Sequence, residues 1–231
     1  MARKILIFDS SSIISLSLNN LLYLLEKLKK ENILFLVTED VKKEVVDTPL
    51  KIKKYELEAL MIFQLIQKKI LEMPEAIGVD KIELEIATSD ILEAANHLFM
   101  ANKEWIKIIS QGEASCIALS LLLNKKGMEN VLVIDERTAR MLCENPENLR
   151  ELMERKLHTT VSMNKERIKE LVGCKIIRSS ELCVVAFKKG VLGLVNGKTQ
   201  ILDALLYATK YKGCAISFNE IEEIKKVEKA V

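Results

Sequence analysis

The sequence is poor in the residue types that mark specialised binding sites. It contains two histidines, and its five cysteines form no Cys-x-x-Cys pair, so a zinc site is not expected. Aromatic residues make up 5% of the 231 positions, with a single tryptophan, which leaves few platforms for stacking nucleic-acid bases. The formal net charge of +2 is too small to indicate nucleic-acid binding through bulk charge, so such binding would need a local basic patch.

Long apolar segments are also missing. No apolar run approaches the roughly 20 residues of a membrane-spanning helix, and the N-terminus leads directly into a strand-like segment instead of a signal peptide. These features predict a cytoplasmic protein with no membrane partner. Proline and glycine are scarce, at three and eight residues, while Lys, Glu and Ile are abundant, and this balance leans towards a heat-adapted (thermophile) source.

What the sequence does contain is a regular alternation of apolar strands and helices. Hydrophobic residues make up 49% and charged residues 29% of the chain, as in a globular domain. Short apolar runs at Lys4–Phe8 and at residues 33–37, 131–134 and 175–178 predict buried strands. Residues 82–86 alternate apolar and acidic side chains, which predicts an edge strand or an irregular edge. The alternation predicts a three-layer α/β/α fold around a central, mostly parallel, twisted sheet of about four to five strands.

Pattern and composition divide the chain into a main domain and a tail. Residues 1–195 are predicted to form the α/β domain, with a helical insertion at about residues 145–172. Residues 196–231 are predicted to form extra C-terminal helices that pack on this domain. The apolar stripes of these helices also fit a dimer contact.

Several acidic residues lie next to the apolar runs, where a carboxylate is costly to bury. Asp9 directly follows the first strand, and Asp135, with Glu136 beside it, directly follows the third. Glu44 lies about one helical turn beyond the second strand, and Glu113 opens an apolar helix. Because ligands gather at the carboxyl ends of parallel strands, we expect these acids to converge.

Carboxylates that converge repel each other and lose hydration, so a positive charge must compensate them. Mg²⁺ or Mn²⁺ is the simplest such charge, because hard cations prefer carboxylate oxygens and need no histidine. The pattern therefore predicts a site with Mg²⁺ or Mn²⁺ as cofactor. The alternative is a network of surface salt bridges with Lys and Arg, which explains Glu44 or Glu113 alone better than it explains Asp9 and Asp135.

The acids lie within four segments that form an ordered series of motifs. These segments are residues 5–11 (Ile-Leu-Ile-Phe-Asp-Ser-Ser), residues 37–45 (Val-Thr-Glu-Asp-Val-Lys-Lys-Glu-Val), residues 112–119 (Gly-Glu-Ala-Ser-Cys-Ile-Ala-Leu) and residues 133–140 (Val-Ile-Asp-Glu-Arg-Thr-Ala-Arg). In order and rough spacing they resemble the PIN-domain family of nucleases. The last two are similar to the Gly-Glu-Ala and Ile-Asp-Asp-x-x-Ala-Arg motifs of one PIN subgroup, and the resemblance spans about residues 3–195.

The resemblance implies a PIN-like fold and a ribonuclease (a hydrolase) that cleaves phosphodiester bonds in single-stranded or structured RNA. In such an enzyme, Mg²⁺ or Mn²⁺ held by carboxylates activates water. The metal-binding acids that it implies are Asp9, Glu44, Glu113 and Asp135. Glu136 completes the implied catalytic group, where it orients the attacking water or holds a second metal ion.

Three further residues acquire roles from the same resemblance. Ser11 matches a small polar position that hydrogen-bonds the central carboxylates, although capping of the first helix explains it equally well. Arg137 and Arg140 lie on the helix that leaves the site, where they would touch substrate phosphate. Pairing with nearby acids on a solvated face is the more ordinary role for both arginines.

Other functions fit the sequence less well. Asp135-Glu136 after an apolar strand resembles the metal-binding strand of an ATPase, but the Gly197-Lys198-Thr199 sequence follows it and lacks the spacing of a phosphate loop, so no nucleotide cofactor is expected. An Asp-x-Asp phosphatase would need an acid where Ser11 stands. The remaining alternatives are an inactive PIN-like module that binds RNA or protein, and a toxin held by an antitoxin. A homodimer partner is a further expectation.

Overall fold

The central feature of the structure is a sheet whose five strands all run parallel. The structure is a computed structural model and describes residues 4–192 and 198–229. The strands are β1 Lys4–Phe8, β2 Ile33–Leu36, β3 Leu71–Glu72, β4 Phe99–Ala101, β5 Glu104–Trp105, β6 Asn130–Val133, β7 Ser162–Met163 and β8 Ile176–Ile177. The parallel sheet has the order β3-β2-β1-β6-β8, and a small antiparallel sheet has the order β5-β4-β7.

Helices connect the strands and flank the parallel sheet, which confirms the predicted three-layer α/β/α fold. They are α1 Ser10–Leu18, α2 Tyr23–Lys29, α3 Glu39–Lys42, α4 Glu56–Gln67, α5 Lys81–Asn96, α6 Gln111–Lys125, α7 Arg137–Glu144, α8 Pro146–Leu157, α9 Ile168–Leu171, α10 Ser179–Lys188, α11 Lys198–Tyr211 and α12 Phe218–Lys229. A π-helical turn, Lys43–Asp47, and two 3-10 turns, Pro49–Lys51 and Pro74–Ile77, complete them. Among the described helices, none combines the length and apolar character that crossing a bilayer requires.

The strands β1 and β2 form the middle of the core. Ile7, Phe8 and Leu36 are completely buried, although successive side chains point to opposite faces of the sheet. Burial on both faces is expected where helices cover both sides of a parallel sheet. The rings of Phe8 and Phe35 meet edge to face, with centroids 5.7 Å apart, so the two strands are also fixed by packing across the strand pair.

The prediction for residues 82–86 is wrong, because these residues form the first turns of α5. The Asp80 carboxylate accepts a hydrogen bond from the Glu83 backbone N–H at 2.8 Å and so caps this helix. The buried face of α5 includes Thr88 and Ile91, and partly buried Leu84 packs on the core one turn earlier. The helical spacing of these buried residues outweighs the apolar–acidic alternation at residues 82–86. Over so few residues, such an alternation fits a helix as well as a strand.

The C-terminal helices α11 and α12 enclose a small apolar cluster of their own. Its buried members are Leu202, Leu206, Cys214, Ile216 and Ile221. The segment between the two helices also reaches the parallel sheet, because the Ala215 backbone N–H donates to the Asp135 carbonyl at 3.2 Å. The Ala215 carbonyl in turn accepts from Arg140 at 3.2 Å and from buried Arg178 at 3.3 Å.

The predicted insertion and the predicted domain boundary compare with the structure as follows. Residues 145–172, predicted as a helical insertion, contain α8, α9 and the short strand β7, which pairs with β4. Residues 193–197 lie outside the described residues, so the predicted boundary at 195–196 and Gly197 of the Gly-Lys-Thr sequence do too.

Candidate functional site

Asp9 occupies the carboxyl end of the central strand and caps the helix that follows. Its side chain is only 1% exposed. One carboxylate oxygen, Oδ2, accepts hydrogen bonds from the Ser11 backbone N–H at 3.1 Å and the Ser11 hydroxyl at 2.6 Å. The other oxygen, Oδ1, is buried without a hydrogen-bond partner among the described residues. An orphaned, buried carboxylate oxygen is unusual and calls for an explanation, such as an ion.

The Ser11 hydroxyl joins the ends of two strands. Besides donating to Asp9, it accepts a hydrogen bond from the Asp135 backbone N–H at 3.1 Å. The Asp9 side chain caps α1 by accepting from the Ser11 backbone N–H. Ser11 therefore both hydrogen-bonds a central carboxylate and takes part in the cap of the first helix. This bridge fixes the ends of β1 and β6 next to each other.

Burial makes the ionised form of Asp9 costly. Loss of hydration raises the pKa of this carboxyl above its ordinary value, the hydrogen bonds from Ser11 oppose that shift, and the negative charge of Glu44 adds to it. A cation close to Oδ1 would offset both the burial and the repulsion.

Glu113 lies on the first turn of α6 and faces the same acids. Its Oε2 accepts from the Ser110 N–H at 2.7 Å, while the Ser110 hydroxyl accepts from the Glu113 N–H at 3.2 Å, a reciprocal capping box. Burial raises the pKa of Glu113 to about 7, and the charges of Asp9 and Glu136 contribute in the same direction. The Ser110 hydrogen bonds only partly oppose this shift.

Glu44 reaches the site from the π-helical turn Lys43–Asp47, a type of irregularity that is frequent at functional sites. Its carboxylate packs directly on the backbone of Gly112, so that a Cβ atom at position 112 would lie 2.6 Å from Glu44 Oε1. Glu44 forms no ion pair with any residue that the structure describes. The absence of a side chain at Gly112 therefore decides where this carboxylate can lie.

Asp135 and Glu136 follow β6 and point in different directions. Asp135 is completely buried, and its two oxygens accept from the Ser179 N–H at 2.7 Å and the Ser179 hydroxyl at 2.6 Å. Glu136 is half-buried and caps α7 through a 2.8 Å hydrogen bond from the Ala139 N–H. Because successive residues of an extended backbone face opposite sides, Asp135 meets α10 while Glu136 lies near Glu113.

The structure thus brings together a set of acidic side chains whose charges act on one another. We call this set the carboxylate cluster; it consists of Asp9, Glu44, Glu113 and Glu136. Asp135, which the sequence places at the centre of the site, is held by Ser179 instead. Glu136 belongs to the set because its charge, after burial and together with that of Asp9, contributes to the raised pKa of Glu113.

The two arginines of α7 lie in different surroundings. Arg137 is exposed and forms no hydrogen bond or ion pair within the described ranges. Arg140 is half-buried and donates to the Ala215 carbonyl, while its Nε is buried without a partner in the described part of the chain. Neither arginine forms an ion pair with an acid within the described residues, although such a pair is the more ordinary role for these side chains.

Four residues that shape the site receive no role at it from the sequence, although two of them lie in the motif at residues 112–119. They are Ser110, Gly112, Cys116 and Ser179. The Ser-x-x-Glu spacing of Ser110 and Glu113 is a recognisable capping signal. The Cys116 thiol lies 3.5 Å from the Phe8 carbonyl, and burial, with the charges of Asp9 and other acids, raises its pKa well above the ordinary value. It therefore stays a neutral thiol next to the cluster.

The carboxylate cluster is not a closed metal cage. Within residues 4–192 and 198–229, no three His, Cys, Asp or Glu side chains are arranged as a group that could hold a metal ion. The donor atoms nevertheless suit a hard cation, because they are carboxylate oxygens and one of them, Asp9 Oδ1, is buried without a partner among the described residues. These carboxylates repel one another, so they need the positive charge of a cation to come close enough to bind it together.

Glu113 is expected to make the stability of the metal-free protein depend on pH. Its pKa of about 7 lies above the ordinary 4.5, so the folded protein favours the protonated form. The stability linked to this proton is fully present below pH 4.5 and is lost as the pH rises to about 7. Unfolding by denaturant in EDTA, at about pH 4 and about pH 8, should show a loss of about 3 kcal/mol that Glu113→Gln lacks. An equal loss of stability in the wild type and in Glu113→Gln would show that other titrating groups cause the pH dependence.

Comparisons with known proteins do not identify the chain. No family model, no curated protein and no solved structure matches it. What this protein does must therefore be inferred from its own residues and their geometry.

Proposed function

We propose that this protein is a cytoplasmic, metal-dependent endoribonuclease with a PIN-like site, which hydrolyses phosphodiester bonds of RNA. The observation that supports this most is Asp9, whose carboxylate is buried beside Glu44 and Glu113, with Oδ1 unpartnered among the described residues. Such a carboxylate is costly to keep ionised without a cation. Phosphodiester hydrolysis develops negative charge on phosphate oxygens, which a cation at this place would stabilise.

The residues of the carboxylate cluster fit Mg²⁺ or Mn²⁺, which prefer carboxylate oxygens and retain several waters. The proposed ligands are Asp9, through Oδ1, together with Glu44, Glu113 and Glu136. A bound ion would supply Lewis-acid stabilisation of the phosphate and lower the pKa of a water molecule. Asp135 receives a supporting role in this proposal, because its two oxygens hold Ser179 and thereby fix the start of α10 against the end of β6.

Protein groups around the cluster would prepare it for reaction. Ser11 holds Oδ2 of Asp9 and leaves Oδ1 for a ligand. The Ala139 N–H holds Oε2 of Glu136, so the remaining oxygen can orient the attacking water. Arg137 is exposed on the first turn of α7 and in this proposal would contact a substrate phosphate.

The experiment that tests this function is Mn²⁺-dependent cleavage of single-stranded RNA by the full chain. We expect products with Mn²⁺ and none in EDTA, with Asp9→Asn as the inactive control. Equal cleavage by the wild type and the variant would contradict the proposed site. Binding of Mn²⁺ without cleavage of any RNA would favour the alternative, an inactive module that binds RNA or protein.

An apolar groove beside Glu44 favours an additional role in binding a partner protein. The groove measures about 460 Å³, and Ile14, Leu18 and Tyr55 in its wall are 43%, 47% and 45% exposed. Exposed apolar surface of this kind marks interaction sites.

Two buried oxygen atoms in the wall of the groove indicate what the partner should carry. Ser17 Oγ and Glu58 Oε2 have no hydrogen-bond partner among the described residues. Burying such atoms without a partner is costly, and an N–H group or a cation from a docked segment would satisfy them. An apolar segment with one such donor therefore fits the groove. An antitoxin or a second copy of the chain would supply it.

We expect the second copy, because most soluble oligomers are assembled from identical chains. Analytical ultracentrifugation should find the wild type as a dimer and Leu18→Asp as a monomer. Ile82→Asp is the matched control, because Ile82 is an equally apolar, 65% exposed residue outside the groove. A monomeric wild type would rule out self-association and leave an antitoxin as the partner to be tested.

A further inference from the structure

A second cavity lies beside the carboxylate cluster and has no part in the chemistry proposed so far. It measures about 360 Å³ and is lined by the start of α3, the turn Pro74–Ile77, the first turns of α5 and the start of α6. Thr38 in its wall follows β2, which pairs directly with β1. Gln111 of the same wall lies two residues before Glu113 on α6, so the cavity adjoins a member of the carboxylate cluster.

Each hydroxyl group in the cavity wall uses its proton in a hydrogen bond within the protein. The Thr88 hydroxyl donates to the Leu84 carbonyl at 2.7 Å, and the Ser115 hydroxyl donates to the Gly112 carbonyl at 2.7 Å. The oxygens of Thr38 and Ser115 lie 2.6 Å apart, and since Ser115 has no second proton, Thr38 is the donor. All three residues are about 1% exposed, so none of them provides a hydroxyl proton to a ligand.

The charged groups of the wall are also mainly hydrogen-bond acceptors. Its carboxylates belong to Glu39, Asp40, Glu75 and Glu85, and they outnumber its two lysines. Glu39 accepts from Lys42, outside the wall, at 3.1 Å. Lys43 Nζ is 3.5 Å from Asp40 and Lys81 Nζ is 3.9 Å from Glu85. Ion pairs at least partly open to solvent, as these are, contribute little strength. A phosphate does not suit such a lining, whereas a neutral group rich in N–H donors does.

We propose that this cavity binds a guanine base of single-stranded RNA, next to the phosphodiester that water would attack at the carboxylate cluster. This inference rests on the proposed nuclease function. Guanine offers N1–H and a 2-amino group on one edge, whereas adenine and cytosine offer only an amino group and uracil only N3–H. An acceptor-rich wall therefore favours guanine over the other bases.

The rest of the wall accommodates the remaining parts of a guanosine nucleotide. The Gln111 side chain is exposed and has no hydrogen-bond partner in the described part of the chain, so its N–H₂ group is free to donate to guanine O6. Pro74 and Leu84 supply apolar contact for the faces of the base. Lys43, which precedes Glu44 in the chain, and Lys81 are exposed residues of the wall, and they would contact the phosphate that flanks the bound base outside the cavity.

Binding can be measured without cleavage in the Asp9→Asn protein with EDTA present. The probes are an oligouridylate with one guanosine, the same oligouridylate without it, and free guanosine monophosphate. We expect the guanosine oligonucleotide to bind about tenfold more tightly than the plain one. Gln111→Ala and Glu75→Gln should each remove most of this preference. Glu129→Gln is the matched control, because the Glu129 side chain is 93% exposed and lies outside this cavity, and it should leave the preference unchanged.

Equal binding of the two oligonucleotides, or a guanosine preference that survives both cavity substitutions, would overturn the proposal. Free guanosine monophosphate that binds as tightly as the guanosine oligonucleotide would overturn its assignment to RNA. The two proposals also fail separately. A guanosine preference without RNA cleavage by the wild type would leave the base site standing and remove the nuclease, and Mn²⁺-dependent cleavage without any guanosine preference would do the reverse.

Discussion

Replacing Asp9 by Asn is expected to lower the rate of Mn²⁺-dependent RNA cleavage by roughly 10³-fold. The substitution removes the negative charge of the most buried member of the carboxylate cluster and replaces one carboxylate oxygen by an N–H₂ group. An amide cannot bind a hard cation at that nitrogen. Its oxygen can still accept both hydrogen bonds from Ser11, so the cap of α1 is retained.

The loss of cleavage should therefore occur in a folded protein. The thermal midpoint of Asp9→Asn should stay within about 5 °C of the wild-type value when metal is absent. Asp90→Asn is the matched control, since Asp90 is exposed on α5 and the same change there should leave the cleavage rate unaltered. Wild-type rates for Asp9→Asn would refute a metal site at the end of β1.

Replacing Gly112 by Ala is expected to lower the cleavage rate by roughly 10²-fold. The added Cβ would lie 2.6 Å from Oε1 of Glu44 and 2.9 Å from its Cδ, so the carboxylate must move. Only the end of a flexible side chain has to yield, and alanine favours a helix more than glycine does. The free energy of unfolding should thus change by less than about 1 kcal/mol, while the cluster loses its arrangement.

A second substitution separates displacement of Glu44 from general damage. In the Gly112→Ala background, Glu44→Asp shortens the displaced side chain by one methylene and should restore part of the cleavage rate. In the wild-type background the same Glu44→Asp change should only lower it. The cleavage rates of the four proteins form a double-mutant cycle, and additive losses would show that positions 44 and 112 act independently.

The α/β fold could be predicted because its main strands are continuous apolar runs. Apolar runs span almost the whole of β1, β2 and β6. The parallel sheet then follows from the alternation of these strands with helices. β3 has two residues, Leu71–Glu72, and so short a strand carries no periodic signal. Residues 82–86 were misassigned because their alternation also fits the exposed side of a helix capped by Asp80.

The sequence proposes which acids belong to the candidate site but does not give their arrangement. Strand ends indicate which acids approach the same edge of the sheet, and this reasoning selected Asp9 and Asp135. The direction of a side chain after a strand depends on one or two backbone dihedral angles, and here these direct Asp135 to Ser179, 44 positions later in the chain. A bond of that range leaves no pattern in the local sequence. The π-helical turn that carries Glu44 leaves none either.

Diffraction from a crystal of the protein soaked in Mn²⁺, with anomalous scattering from the ion, tests the central claim most directly. The account predicts an anomalous peak at roughly 2.2 Å from Asp9 Oδ1, with at least one further carboxylate of the cluster, Glu44, Glu113 or Glu136, as a ligand. The same soak of Asp9→Asn should lack the peak. A wild-type crystal with no peak there, or with Mn²⁺ bound only by exposed acids elsewhere, would contradict the assignment of this site to metal-dependent chemistry.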